Sequence, residues 1–315
     1  MTMNTSISIA MCVCEPKRKH LLAQLDSLAN QTLLPNELIV CDDSKTPKEE
    51  LFRQWGQTTE INIVYEHNRK QLGIVGNFSN ALQKTAGQYI LLCDQDDIWE
   101  SNKIQETIAA IKKNERDGSQ PILFHSDLSL LSESAKDRNS SFMSKQRIRG
   151  GKDNLLNVLV LHNIVTGCSA GMNRALVEKA LPVPKTAVVH DWWLALVATH
   201  CGQIIFDKRK LIKYRLHDQN AIGLRPLFSF ENIKRLMQFN HIGVEFSKVV
   251  KQNQAFQQKF KKELPSEINI FFDDLKVGGF VLINSAKKSG VKPQAFSRTI
   301  RFWVAALTKT YRKYL

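Results

Sequence analysis

Over its first 127 residues the chain alternates short apolar runs with stretches of helical spacing, and few folds accommodate that rhythm. Ser6–Val13, Glu37–Cys41, Ile61–Tyr65, Tyr89–Cys93 and Pro121–His125 read as strands. Lys17–Asn30, Lys48–Trp55, Asn77–Thr85 and Asn102–Arg116 read as the helices between them. Pro16, Pro35, Pro47 and Gly87 punctuate the transitions. Strands separated by helices pair in parallel, because a crossover of helix length returns the chain to the same end of the sheet. The expectation is an α/β fold, a doubly wound and mostly parallel sheet with helices on both faces.

Such a sheet binds ligands beyond the carboxyl ends of its strands, and there the acidic residues collect. The run QYILLCDQDDIW ends a buried strand in Asp94, Gln95, Asp96 and Asp97. Three carboxylates in four residues repel one another unless a cation sits among them. Hard oxygen ligands suit Mg²⁺ or Mn²⁺ bridging to substrate phosphates. The plainer alternative is a solvated acidic turn ahead of the next helix. The second strand ends likewise in Asp42-Asp43-Ser44, and a polar, glycine-bearing loop, Asn68–Gly76, follows the third.

Residues 132–153 are polar and read as a loop over this end of the sheet, either a lid or a surface excursion. Thr166–Gly171 is a run of small residues that permits close backbone approach. Val188–Gly202 forms a helix with Asp191 near its start, and Ile204–Phe206 and Leu211–Leu216 close the strand series before His217. Beyond Pro226 only helices are expected.

The net charge of +14 is concentrated there: residues 227–315 hold 16 Lys/Arg against 6 Asp/Glu. In the last helix Phe296, Ile300, Trp303, Leu307, Tyr311 and Tyr314 recur at three- and four-residue steps, with basic residues mostly elsewhere. That pattern suits a helix lying on a membrane surface and equally one packed on the preceding domain. No apolar stretch reaches the eighteen residues of a membrane span. The amino terminus reads as a strand rather than an export signal. The six cysteines lack paired metal or disulfide spacing, which suits a reducing, cytoplasmic setting.

Seven segments occur in a telling order: ISIAMCVCEP, NELIVCDDSK, NRKQLGIVGNF, YILLCDQDDIW, TGCSAGMNRAL, VVHDWWLALV and YRLHDQNAIG. Together they resemble the bacterial family-2 glycosyltransferases of GT-A fold, closest to a polysaccharide-assembling, rhamnosyltransferase-like branch. The resemblance spans roughly residues 6–224. It implies a catalytic domain over 1–224 that binds a nucleotide sugar, followed by a basic helical region over 225–315. It implies an inverting, metal-dependent hexosyl transfer from a nucleoside-diphosphate sugar. Thymidine-diphosphate rhamnose is the leading donor, with uridine-diphosphate sugars next. The implied acceptor is a polyprenyl-diphosphate-linked saccharide of a surface polysaccharide, an O-antigen or capsule, met at the inner face of the cytoplasmic membrane.

Residue by residue, the resemblance makes Asp43 the acid facing the base. Gly73 and Asn77 border the nucleotide, with Lys70 within reach of a phosphate. Asp94 contacts the ribose or shares the metal, Asp96 holds the metal, and His217 completes the metal site or touches the diphosphate. Asp191 is the catalytic base. Asp97 is left to helix capping, and Trp192 or Trp193 to a sugar ring or to the core. Cys12-Val13-Cys14 departs from the pattern, because relatives often place Thr, Tyr and Asn near the base and cysteine cannot stack on a pyrimidine.

Three other readings compete. A sugar-phosphate nucleotidyltransferase would share the sheet and the acids, but Cys14-Glu15-Pro16-Lys17 lacks the glycine-rich phosphate loop it requires. A non-catalytic nucleic-acid-binding protein would explain the charge, yet the tail carries no recognisable motif for one. A dinucleotide-dependent oxidoreductase is disfavoured because no G-x-G-x-x-G follows the first strand.

Overall fold

The computed structural model describes residues 5–131, 140–149, 155–216 and 239–315. Among these, eight strands form one sheet in the order β3-β2-β1-β4-β7-β6-β8-β5. They are β1 (Ile7–Val13), β2 (Glu37–Asp42), β3 (Asn62–His67), β4 (Tyr89–Cys93), β5 (Ile98–Trp99), β6 (Ile122–Leu131), β7 (Gly171–Asn173) and β8 (Gln203–Arg215). The first four pair in parallel, as the alternation requires. The sheet as a whole is mixed: β7 runs antiparallel to both β4 and β6, and β5 antiparallel to β8. β7 has only three residues and follows a tight turn, too short a signal to announce its direction.

Helices α1 (Arg18–Ala29), α2 (Glu49–Gly56), α4 (Lys103–Asn114) and α5 (Phe142–Gln146) cover one face. On the other lie α3 (Gly73–Lys84), α6 (Leu155–Leu159), α7 (Arg174–Ala180) and α8 (His190–Cys201). The central strands show why. Ile7, Ile9, Met11 and Val13 enter one core while Ala10 enters the other, and Tyr89, Leu91 and Cys93 alternate with Ile90 and Leu92 in the same way. A period of two on strands buried from both sides accounts for their unbroken apolar runs.

Several elements differ from expectation. β6 runs on to Leu131, and the two expected closing strands are the single β8 that pairs with it through two register shifts. Ser126, Asp127 and Ser129 made that stretch look like loop; they are buried, and Asp127 accepts hydrogen bonds from Ser141 Oγ (2.6 Å) and the Met143 amide (3.1 Å). The described part of 132–153 is no lid, because Phe142 and Met143 of α5 are buried in the core. α3 begins at Gly73, four residues early. The remainder of 132–153, His217 and the 224/225 boundary lie outside the described residues.

The carboxyl-terminal part is helical: α9 (Phe239–Phe260), α10 (Ser266–Val277), α11 (Gly279–Lys288) and α12 (Phe296–Thr308). Its apolar residues join the core around α8 and make no separate one. Phe256 meets Trp193 edge to face at 5.9 Å, and Asn253 Nδ2 donates to the Val160 carbonyl at 2.6 Å. This is why α8 is apolar around its whole circumference: it lies between the sheet and the terminal helices, buried from His190 to Ala198.

Candidate active site

At the carboxyl ends of β1, β2 and β4 a cleft of about 490 Å³ opens. Cys12, Cys14, Asp43, Gly73, Asn77, Asp94, Gln95, Asp96 and Asp191 all line it. Acidic residues separated by nearly 150 positions in sequence thus face one space, and charge repulsion between Asp94 and Asp191 is felt across it. His217 is not among the described residues, and Lys70 is exposed and does not line the cleft.

Asp43 and Asn77 build one wall of the cleft. The Asp43 carboxylate accepts from Asn68 Nδ2 at 2.6 Å, from the Leu72 amide at 3.1 Å and from the Gly73 amide at 2.8 Å. It therefore satisfies the open amides at the start of α3, which places that start at Gly73. Gly73 has φ +68° with open space where a Cβ would point, so its backbone conformation rather than crowding requires glycine. Asn77 Nδ2 donates to the Cys41 carbonyl at 2.9 Å, and its Oδ1 accepts from Asn68 at 2.7 Å. These three donors leave the Asp43 carboxylate little spare capacity for a further N–H.

The acidic turn is a structured object, not a solvated one. Gln95 clasps the end of β1, its Oε1 accepting from the Cys14 amide at 2.8 Å and its Nε2 donating to the Cys14 carbonyl at 3.1 Å. Asp97 caps no helix: fully buried, it accepts from the Arg215 amide at 3.0 Å, and Arg215 Nε donates to the Asp96 carbonyl at 2.8 Å. The end of β8 is thereby pinned to the turn. Burial, then the neighbouring acids, pushes Asp94 well above the usual carboxylate range and Asp97 up to about 7.

Beneath the turn lies Lys103, wholly buried, its Nζ 3.4 Å from the centre of the Trp99 ring. Burial brings its pKa down to about 7. Carboxylates of Asp94 and Asp97 and the Cys168 thiol come within 4.8 Å of one another, and Asp97 Oδ2 has no hydrogen-bond partner. Burial, then the charges of Asp97 and Asp94, raises that thiol well above its usual pKa. Crowded oxygens of this kind fit a divalent cation; the close set joins Asp94 to the buried Asp97, while Asp94 and Asp96 are the acids of the turn that line the cleft.

Asp191 sits at the first turn of α8, buried. Its Oδ1 accepts from Asn163 Nδ2 at 2.9 Å and its Oδ2 from the Gly167 amide at 2.7 Å. Burial raises its pKa to about 6, the two donors and the helix-end amides pulling the other way. It is ionised at neutral pH yet more basic than a solvated carboxylate. A Cβ on Gly167 would lie 3.0 Å from His190 Nε2 and 3.2 Å from Asp191 Oδ2, so glycine there lets the backbone reach the acid. Trp192 and Trp193 offer no platform to a sugar. Both are core, donating to the Leu159 (2.6 Å) and Ala180 (2.9 Å) carbonyls.

Gln95, Asn163, Tyr214, Lys103 and Arg215 were not singled out from sequence, and the first three were invisible for one reason. Their partners Cys14, Asp191 and the cleft lie on other elements, so no local spacing marks them. Lys103, an ordinary helix-start lysine in sequence, is betrayed only by its complete burial.

A mixed sheet of this order, with an acid-lined cleft at the parallel strand ends, defines a nucleotide-sugar-dependent glycosyltransferase of GT-A type. Residues 8–181, more than half of the chain, match the family model described as glycosyl transferase family 2, and the chain belongs to that family. An uncharacterized glycosyltransferase of Rickettsia typhi is 24% identical over 263 residues, 82% of this chain and 76% of that protein. The Escherichia coli UDP-Glc:α-D-GlcNAc-diphosphoundecaprenol β-1,3-glucosyltransferase WfgD is 30% identical over 92 residues, 29% of this chain and 36% of that one. Among solved structures, Staphylococcus aureus TarS 1–349 in complex with UDP-GlcNAc superposes with a TM-score of 0.60 at 13% identity, covering 98% of this chain and 90% of that one. The Pyrobaculum calidifontis mannosyltransferase PcManGT with GDP-Man and Mn²⁺ gives 0.53 at 14% identity, over 98% and 88%.

Proposed function

We propose that the chain is an inverting, metal-dependent hexosyltransferase that extends a polyprenyl-diphosphate-linked saccharide. The observation that carries this reading is the convergence of Asp94 and Asp96 with Asp191 on one cleft. Asp191 takes the proton from the acceptor hydroxyl as its oxygen attacks the anomeric carbon. The bond from that carbon to the diphosphate breaks on the opposite face, which inverts the configuration. Asp94 and Asp96 would hold Mg²⁺ or Mn²⁺, which when bound supplies charge neutralisation to the departing diphosphate. Asn163 and Gly167 keep the base aimed, and Asp43, Gly73 and Asn77 shape the nucleotide wall.

The same reading gives His217 a place at the metal or diphosphate, residues 1–224 the catalytic role and residues 225–315 a supporting helical one. The acceptor class follows that of WfgD, whose diphosphoundecaprenol substrate is lipid-linked, and puts the enzyme at the inner face of the cytoplasmic membrane. A pyrimidine nucleotide is the expected carrier. The sequence resemblance favours thymidine-diphosphate rhamnose, while the UDP-sugars named for WfgD and TarS favour uridine, and we give uridine priority.

The test is a panel of nucleotide sugars, with and without Mg²⁺ or Mn²⁺, scored for release of nucleoside diphosphate as the sugar is transferred to a lipid-linked saccharide. Asp96→Ala and Asp191→Ala are expected to lose at least about a thousandfold in turnover with melting temperatures preserved. Full turnover by Asp191→Ala would remove the base assignment. Undiminished turnover in excess chelator would remove the metal.

A further inference from the structure

α11 and α12 form an antiparallel hairpin: Gly278 and Gly279 abut Ala306 and Lys309, while at the other end the Ser289 carbonyl accepts from Asn157 Nδ2. The inner side of α12 is core, with Phe302, Ala305 and Ala306 buried. Its outer side is a second apolar stripe. Phe296 is 80% exposed, Ile300 40%, Trp303 48% and Leu307 46%, at steps of four, three and four residues. Phe280, also 80% exposed, and Val281 lie at the end of α11 that meets Leu307's end of α12.

No described residue covers these side chains, and a bare run of Phe296, Ile300, Trp303 and Leu307 down one side of a helix, with Phe280 exposed near its far end, is apolar surface that a monomer in water rarely displays. The surrounding charge is of one sign. From Leu275 to Leu315 there are nine Lys/Arg and no Asp or Glu. Lys276, Lys287, Lys288, Arg301, Lys309, Arg312 and Lys313 are exposed.

We infer that the α11–α12 hairpin docks the protein on an anionic lipid bilayer. Phe280, Phe296 and Trp303 insert at the level of the headgroups, and the basic residues pair with lipid phosphates. Aromatic side chains favour that level, where one part of the ring is dry and the other wet. The hairpin is a fixed part of the body. Gln294 and Arg149 exchange two hydrogen bonds of 3.0 Å, and Arg298 Nη2 donates to the Gln146 carbonyl at 3.2 Å. Docking would therefore set the orientation of the whole catalytic sheet. An acidic protein partner would match the charge but has no need of a bare, regularly spaced apolar stripe. The inference rests on the proposed function only for its purpose, because the surface exists whatever the acceptor is.

The experiment is flotation of the full chain with phosphatidylcholine vesicles, with and without phosphatidylglycerol, alongside Phe296→Ser/Trp303→Ser and Arg301→Glu/Lys309→Glu. Each pair is exposed and remote from the cleft, and melting temperature checks the fold. Wild type is expected to float with the anionic vesicles and to stay behind with the neutral ones. Either double variant should weaken binding at least tenfold, and raised salt should weaken it further.

Wild type remaining unbound, or the serine variant floating as well as wild type, would overturn the inference. So would a wild-type dimer in sedimentation that dissociates in the serine variant, because a second copy would then cover the stripe. Nucleotide release on a water-soluble acceptor, measured in parallel, separates the two claims. Transfer without flotation removes the docking alone, and flotation without transfer removes the proposed activity alone.

Discussion

Asp191 is a carboxylate tuned by two opposed influences, and its chemistry follows from which prevails. Burial disfavours the anion; the Gly167 amide and the Asn163 amide group favour it, and burial wins, leaving the pKa at about 6. Only the ionised form accepts a proton, so kcat/KM of the free enzyme is expected to rise with pH through about 6 and then level off. Below that point it should fall tenfold per pH unit, and an unchanged rate at pH 5 would contradict the assignment. The stability consequence has the opposite sign. A carboxyl whose pKa is higher folded than unfolded favours the native state while protonated, and this contribution is lost between about pH 4 and 6.

Gly167→Ala tests the aim of the base. Its methyl must displace His190 or Asp191, and the expected result is a kcat loss of about a hundredfold with nucleotide-sugar KM nearly unchanged. The acids of this site were legible in the sequence because each terminates an apolar run or opens a helix. The groups that hold them were not. Asn163 is twenty-eight residues from the acid it orients, and Gln95 reads as a spacer between two aspartates while it ties β4 to β1.

At the scale of elements, strands buried from both sides and helices with an apolar face announced themselves, and β4 runs as expected from Tyr89 to Cys93. What stayed hidden was set by distant partners. α3 starts where Asp43 provides the acceptors, and β6 continues through Ser126 and Asp127 because Ser141 and the Met143 amide of α5 donate to the buried Asp127 carboxylate. The junction of α8 and β8 makes a sharper prediction. A Cβ at Gly202 would lie 1.8 Å from the Pro121 carbonyl oxygen, which no side-chain adjustment relieves. Gly202→Ala is expected to cost about 3 kcal/mol or more, at the upper end of overpacking penalties, measurable by urea unfolding.

For the whole molecule, the terminal helices complete the core on the α8 face of the sheet. Val188, just ahead of α8, donates its amide to Gln252 Oε1 at 2.8 Å, and Phe256, Phe271 and Phe272 are buried. Removal of residues 239–315 would expose this surface on a helix that is apolar all round. Such a truncated chain is expected to aggregate or to melt without a cooperative transition, as circular dichroism would show. Sequence composition separated these helices from the sheet by their charge, which lies on their outer side, and so concealed how far their inner side is shared. Among the described residues no helix is long and apolar enough to cross a membrane.

The placement of α8 has a further consequence for how this catalyst divides its labour. The acids Asp43, Asp94 and Asp96 of the cleft stand at strand ends, whereas Asp191 opens a helix that the terminal helices cover. On the proposed reading, the group that would deprotonate the incoming alcohol is therefore braced by a part of the chain remote in sequence from the acids at the strand ends, so damage to the terminal helices would reach the acceptor chemistry first.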